Sequence, residues 1–174
     1  MMHLGGGMQR PHTSQNSKIL LMLLGIAKLS IVAISILMIV VTLAQVIFRY
    51  VIAAPLPWSE ELARYCFVWI VFLGGAVGLS RGIHLGVDLF VNLLPERFCF
   101  GIEILSNFLI ACFAASVVIA SYPVISMNML QRSPALGVQM SWIYIAIPIS
   151  MGLIFLICME RTIGILLGRS GREE

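Results

Sequence analysis

Charged residues are scarce in this sequence. Only 11% of its 174 residues are charged, whereas 60% are hydrophobic. A soluble domain carries about a quarter charged residues, so we expect lipid rather than water to surround most of this chain. The basic residues that are present lie beside apolar runs, where such residues anchor helices. The net charge of +3 therefore does not indicate nucleic-acid binding.

The residue patterns of redox and metal chemistry are also missing. The four cysteines are far apart, no two of them form a CxxC pair, and only three histidines are present. A disulfide oxidoreductase or a cysteine zinc site would need such a pair, and a four-helix haem enzyme would need paired histidines. The sequence therefore predicts no cofactor, no metal site and no catalytic residue.

Long apolar runs dominate what is present. Because an apolar helix of about 20 residues crosses a bilayer, these runs predict an all-α membrane protein with four transmembrane helices. The predicted spans are residues 29–48, 62–80, 98–129 and 142–167. Residues 18–168 would form one membrane domain, between a disordered cytoplasmic tail at 1–17 and a short cytoplasmic tail at 169–174.

The first apolar run is longer than one span. It covers residues 19–48, and Lys28 divides it. Lys28 and Arg49 bracket roughly 20 uncharged residues, which is one bilayer thickness. We therefore expect residues 20–27 to form an apolar extension at the membrane surface, against lipid head groups or protein.

Lysine and arginine are distributed unevenly between the two sides of the membrane. Eight of them fall on the side of the termini: Arg10, Lys18, Lys28, Arg81, Arg97, Arg161, Arg169 and Arg172. Three fall on the opposite side: Arg49, Arg64 and Arg132. Cytoplasmic loops carry the excess of positive charge, so this asymmetry predicts that both termini are cytoplasmic.

Aromatic residues and prolines mark the side opposite the termini. The aromatic residues predict a belt at that interface and are Tyr50, Trp58, Tyr65, Tyr122, Trp142 and Tyr144. Two prolines fall inside predicted spans. Pro123 predicts a kink near the end of the third helix, and Pro148 predicts a bend near the start of the fourth.

Two four-residue repeats surround the connection between the second and third helices. His84, Asp88 and Asn92 lie on one face of a short helix that we expect to lie along the cytoplasmic interface. The spacing of His84 and Asp88 could also serve a metal ion, but no third ligand is near, which favours a surface hydrogen bond. Gly74, Gly78, Gly82 and Gly86 predict a ridge that another helix, of this chain or of a partner, can approach closely.

The segment PLPWSEELARY precedes the second span. Trp58 would anchor it at the interface, Ser59 would cap the helix, and Glu60 and Glu61 would complement the dipole of its first turn. Arg64 lies four residues after Glu60, which predicts an ion pair. The alternative is a proton or cation site made by the two carboxylates, although coupling ions bind nearer to the middle of the membrane.

These motifs resemble a known family. Residues 45–95 are similar to the small membrane subunit of tripartite ATP-independent periplasmic (TRAP) transporters, the DctQ-like family. The matching positions are Arg49, Pro55, Trp58, Glu60, Glu61, Arg64, Trp69, Gly74, Arg81, His84, Asp88 and Pro95. A second run, PALGVQMSWIYIAIPISMG, also resembles the start of that family's fourth helix. The resemblance covers the chain from Leu29 to about Gly164.

The resemblance implies a function as well as a fold. In such systems a large membrane subunit and a soluble periplasmic binding protein join the small subunit. A sodium gradient then drives the uptake of organic acids across the bacterial inner membrane. The large subunit would carry the substrate and sodium sites and move as an elevator, while the small subunit would be a lipid-embedded scaffold. The loop and fourth helix are similar to the sialic-acid type.

A stand-alone four-helix exporter is the alternative to this function. It would need a charge embedded near the middle of the membrane. No charged residue lies between Lys28 and Arg49 in the first span, which argues against this alternative.

The asymmetry of lysine and arginine predicts a labelling pattern. In a variant without native cysteines, single cysteines at Ser14 and Arg172 should be protected from a membrane-impermeant thiol reagent in intact cells. A cysteine at Ala135 should react, because the asymmetry places it outside the cytoplasm. Labelling of both terminal positions, with Ala135 protected, would show that the orientation is reversed.

Overall fold

The computed structural model describes residues 18–81 and 96–166, and every regular element in these residues is an α-helix. The helices are α1 (Lys18–Tyr50), α2 (Pro57–Ser80), α3 (Glu96–Met127), α4 (Ser141–Tyr144) and α5 (Ala146–Leu166). Four stretches are long and apolar enough to cross a membrane, the fourth being α4 and α5 together. This confirms the predicted all-α membrane protein. The predicted tails and the predicted interfacial helix lie outside the described residues.

The start of α2 differs from the prediction. Its N-cap is Leu56, with an extended backbone at φ −101° and ψ 99°, and Pro57 is the first helical residue. Proline suits this position because its φ is already helical and no N–H is needed there. The Ser59 hydroxyl donates to the Leu56 carbonyl oxygen at 2.7 Å. The predicted N-cap at Ser59 is therefore wrong, because Pro57 starts the helix earlier.

Proline also shapes the fourth crossing. Regular helix is interrupted at Ile145, between α4 and α5. Pro148 has no N–H to donate to the carbonyl of Tyr144, four residues earlier, and its ring crowds that oxygen. The irregularity predicted from Pro148 therefore lies one turn before it. Pro123 lies inside α3, and the helix continues past it to Met127.

The four crossings form an open row. Helix α1 packs on α2, α2 packs on α5, and α5 packs on α3. Within the described residues, α3 contacts neither α1 nor α2. The helices at the two ends of the row, α1 and α3, therefore expose most of their surface. In the most apolar stretch of α1, only 6% of the residues are buried. Broad apolar faces remain for lipid or for another protein.

Helix α1 packs through one narrow stripe. Buried or half-buried residues recur along it at alternating spacings of four and three: Leu20, Leu24, Ala27, Ile31, Ile34, Met38, Val41, Gln45 and Phe48. Such a seven-residue repeat is typical of helices that stay side by side at a small left-handed crossing angle. We call these residues the packing stripe.

A core cluster joins the first turns of α1 to α2 and α5. Its buried members come from three helices and are Leu20, Leu24, Ala27, Leu73, Ala76, Val77, Leu153 and Ile157. Of the two neighbours expected for residues 20–27, lipid head groups or protein, the structure shows protein. These residues pack against α2 and α5, where the small side chains of Ala27 and Ala76 allow the helices to approach closely.

The contrast between two neighbouring residues of α2 provides a test of this packing. Ala76 is fully buried in the cluster, at 0% exposed, whereas a Cβ on Gly75 would meet no atom within 4 Å. Ala76→Leu should lower the free energy of unfolding by about 1–3 kcal/mol, because it overpacks the cluster. Gly75→Leu should leave the free energy of unfolding unchanged. Both free energies are measured by following the unfolding of the purified chain in detergent with circular dichroism. Equal losses would contradict the packing described above.

Candidate functional site

The connection between α3 and α4 folds back on itself. The Met140 N–H donates to the Gln131 carbonyl at 2.9 Å, and the Ser133 N–H donates to the Val138 carbonyl at 2.8 Å. Arg132 and Gln139 form an isolated antiparallel bridge between the two arms. The turn includes Gly137 at φ 66°, a conformation that glycine adopts without steric cost. We call residues 131–140 the hairpin.

Glu61 fastens the hairpin to α2. Its two carboxylate oxygens accept hydrogen bonds from the Ala135 N–H, each at 3.2 Å, and Oε2 also accepts from the Leu136 N–H at 3.1 Å. Successive backbone N–H groups that converge in this way form a small anion-binding concavity. One turn further along α2, the Tyr65 hydroxyl contacts Met140 Sδ at 3.5 Å. Both contacts hold the hairpin against the start of α2.

Glu60 has a different partner. Its Oε1 lies 3.0 Å from an Arg64 guanidinium nitrogen, and the two side chains are 69% and 66% exposed. The predicted ion pair is therefore confirmed, and an exposed pair of this kind contributes about 0.3–0.5 kcal/mol. Because Glu60 and Glu61 bind different groups, they do not share a site in this structure. No group of His, Cys, Asp and Glu among the described residues is suited to a metal ion.

A second long-range contact lies at the other end of α2. The Arg161 guanidinium of α5 donates to the Leu79 carbonyl at 2.9 Å and to the Ser80 carbonyl at 3.4 Å. The last carbonyls of a helix lack intrahelical partners and carry the negative end of its dipole. Sequence reasoning used Arg161 only for orientation and missed this contact, because no local pattern joins two helices so far apart in the chain.

The predicted glycine ridge does not pack within the described part of the chain. A Cβ placed on Gly74 or on Gly78 would meet no atom within 4 Å. Of the two readings left open for this ridge, the approach of another helix of this chain is therefore not seen at these glycines. Gly82 and Gly86 lie outside the described residues, so the ridge is observed only in part.

The other predicted site residues are spread over the molecule. Trp69 packs against the core cluster, and Arg81 is the C-cap of α2. The Arg49 guanidinium lies 5.8 Å from the centre of the Tyr50 ring. Trp58, in the first turn of α2, is exposed. His84 and Asp88 lie outside the described residues.

The aromatic residues of the predicted belt lie on one side of the molecule, at the ends of the helices. Tyr50 ends α1, Trp58 begins α2, and Trp142 belongs to α4. The Glu61 contact joins the start of α2 to the hairpin, so these termini share one side of the molecule. This placement agrees with an interface on that side.

Comparison with known proteins gives the geometry a context. A family model described as the DctQ component of tripartite ATP-independent periplasmic transporters matches residues 38–168. The matched residues include Glu60, Glu61, Arg64 and Arg161, together with the residues that they contact.

Relatives of known name agree with this match. A Haemophilus influenzae protein provisionally assigned as a TRAP transporter small permease is 30% identical, over 72% of this chain and 78% of its own length. The sialic acid TRAP transporter permease protein SiaT of Haemophilus influenzae is 30% identical over 75% of this chain, which spans only 21% of SiaT. The C4-dicarboxylate small permease protein DctQ of Rhodobacter capsulatus is 35% identical over 56% of this chain and 44% of its own length.

The family match, the relatives and the four apolar crossings agree on one assignment. They describe a transport component of the inner membrane rather than an enzyme. The chain belongs to the DctQ family and is a multi-pass small membrane subunit of a TRAP transporter.

Proposed function

We propose that this chain is the stationary scaffold of a sodium-driven TRAP transporter that imports an organic acid. The observation that carries the proposal is the way in which the two carboxylates at the start of α2 are used. Glu60 pairs with Arg64, and Glu61 binds the backbone of the hairpin. The Glu61 contact holds the hairpin to the start of α2, as a stationary subunit requires, and the Glu60 carboxylate is held in an ion pair on its own helix.

The moving and substrate-binding parts belong to a separate large permease subunit in this proposal. Similarity to SiaT agrees with this division of labour, because the part of that permease protein that matches this chain is only 21% of its length. A soluble periplasmic protein would deliver the substrate to the assembled pair of membrane subunits, as the family resemblance implies.

The substrate that we propose is an organic acid. Relatives named for sialic acid, for isethionate and for C4-dicarboxylates match this chain at 30%, 32% and 35% identity. Similarity of this subunit therefore does not select among these cargoes, which agrees with a scaffold that does not bind the substrate. Sialic acid is the first substrate to test, because the hairpin and fourth crossing resemble that type.

The orientation that we propose places both termini in the cytoplasm. The hairpin and the Glu60–Arg64 pair then face the periplasm, and the contact of Arg161 with α2 lies on the cytoplasmic side. The excess of lysine and arginine on the side of the termini supports this orientation.

A reconstitution experiment tests the division of labour. This chain alone in liposomes should move neither sialic acid nor a C4-dicarboxylate when an inward sodium gradient is imposed, because substrate and sodium binding belong to the large subunit. Uptake of radiolabelled substrate should begin when the large subunit is co-reconstituted and the loaded binding protein is added. Sodium-dependent uptake by this chain alone would refute the scaffold function.

The role of Glu61 is tested separately by exchanging its carboxylate for an amide. Glu61→Gln removes the charge and one acceptor oxygen, so the Ala135 and Leu136 amides should exchange hydrogen several times faster in mass-spectrometric measurements. Transport should fall only in proportion to the amount of complex recovered.

Glu60→Gln is the matched control for this variant. It breaks only the exposed pair with Arg64, so the hairpin amides should exchange at the wild-type rate. A coupling carboxylate would behave differently: its replacement would abolish transport while the complex stayed abundant and the hairpin stayed protected. That result for either residue would contradict the structural role.

A further inference from the structure

A line of polar side chains runs along α1 beside the packing stripe. Its members are Lys28, Ser35, Thr42 and Arg49, which recur every seven residues. Each directly follows a residue of the packing stripe, namely Ala27, Ile34, Val41 and Phe48. We call these four residues the polar line. The polar line therefore repeats every seven residues, as the packing stripe does, but it lies beside the stripe rather than within it.

Little within the described chain covers the polar line. Lys28, Thr42 and Arg49 are exposed, and Ser35 is half-buried. The Thr42 hydroxyl donates only to the Met38 carbonyl of its own helix, at 2.7 Å. No described carboxylate pairs with Lys28, and α1 is the end helix of the row.

Lys28 is not at the end of its helix. Its neighbour Ala27 is a buried member of the core cluster, together with Ile157 of α5. Arg161, which binds the end of α2, lies one turn beyond Ile157. Lys28 therefore lies beside the core cluster and inside the stretch of α1 that can span a membrane, where an unpaired ammonium group is unfavourable.

We propose that the polar line is the surface on which the large permease subunit packs a transmembrane helix, and that Lys28 pairs there with an acidic side chain of that helix. The proposal rests on the proposed function, which supplies the partner. A seven-residue repeat is typical of packed helices. Hydroxyl side chains such as Ser35 and Thr42 allow close approach and can form hydrogen bonds between membrane helices.

Two other occupants explain the polar line less well. An anionic lipid head group could bind Lys28, but Ser35 and Thr42 lie about 10 and 20 Å further along the helix, beyond the head groups of that leaflet. A second copy of this chain would bring like residues together across a two-fold axis. Lys28 would then face Lys28, and the two positive charges would repel.

Photo-crosslinking tests which face of α1 meets the large subunit. A benzoylphenylalanine residue is placed at Thr42 or, as control, at Val40, which is 57% exposed. These positions are two residues apart, so they have similar depth but point about 200° apart around the helix. In the co-expressed complex, Thr42 should yield a product with the large subunit and Val40 should not.

The alternative outcomes of this experiment separate the two proposals. Products with the large subunit from Val40 alone, or equally from both positions, would overturn the polar line as the interface. A Thr42 product with lipid only, or with a second copy of this chain, would overturn it as well. If the wild-type chain failed to co-purify with the large subunit, the proposed function itself would be refuted.

Substitution of Lys28 tests the ion pair. Lys28→Met should reduce the co-purified large subunit about fivefold, because it leaves the partner's carboxylate unpaired in the membrane. Lys28→Glu should reduce it further, and Lys28→Arg should retain most of it. Lys18→Glu, at the exposed first residue of α1, is the control and should behave as wild type. Wild-type recovery with Lys28→Met, in a chain of normal abundance and helix content, would overturn the proposed pair.

Discussion

Hydrocarbon offers no hydrogen-bond partner to the peptide backbone, and this constraint governs the whole molecule. It makes every described crossing helical, and it leaves the helix ends and breaks as the places where backbone groups need outside partners. Two charged side chains supply them. The Glu61 carboxylate accepts hydrogen bonds from the hairpin N–H groups, and the Arg161 guanidinium donates to the last carbonyls of α2. The two charged long-range contacts of α2 are therefore at its two ends.

The open row explains how such a small subunit can serve a larger one. A closed bundle buries its helices against each other, whereas here α1 and α3 each have one main neighbour. The row has little interior in which a substrate could be enclosed, but it has wide apolar faces. In the scaffold function that we propose for this member of the DctQ family, these faces have a purpose, because a stationary subunit that extends the membrane surface of a moving partner needs area rather than a cavity.

Sequence reasoning succeeded where the physics is local. Apolar runs of bilayer length predicted the crossings, and the spacing of Glu60 and Arg64 predicted their ion pair, because residues four apart on a helix are neighbours. It failed for Ser59, where the proline at the first helical position outweighed the preference of serine for N-caps. For residues 20–27 it left lipid head groups and protein as alternative neighbours, because bilayer thickness alone does not reveal the helices that cover this segment.

The sequence by itself determined that the chain is an all-α membrane protein, since hydropathy and length depend only on which residues follow one another. Its motifs also identified the family. Only the tertiary structure decided that the crossings form a row, that Glu61 holds the hairpin and that Arg161 holds the end of α2. Those contacts join residues 74 to 82 positions apart. No periodicity in a single sequence encodes them, because they depend on which helices pack side by side and at what depth.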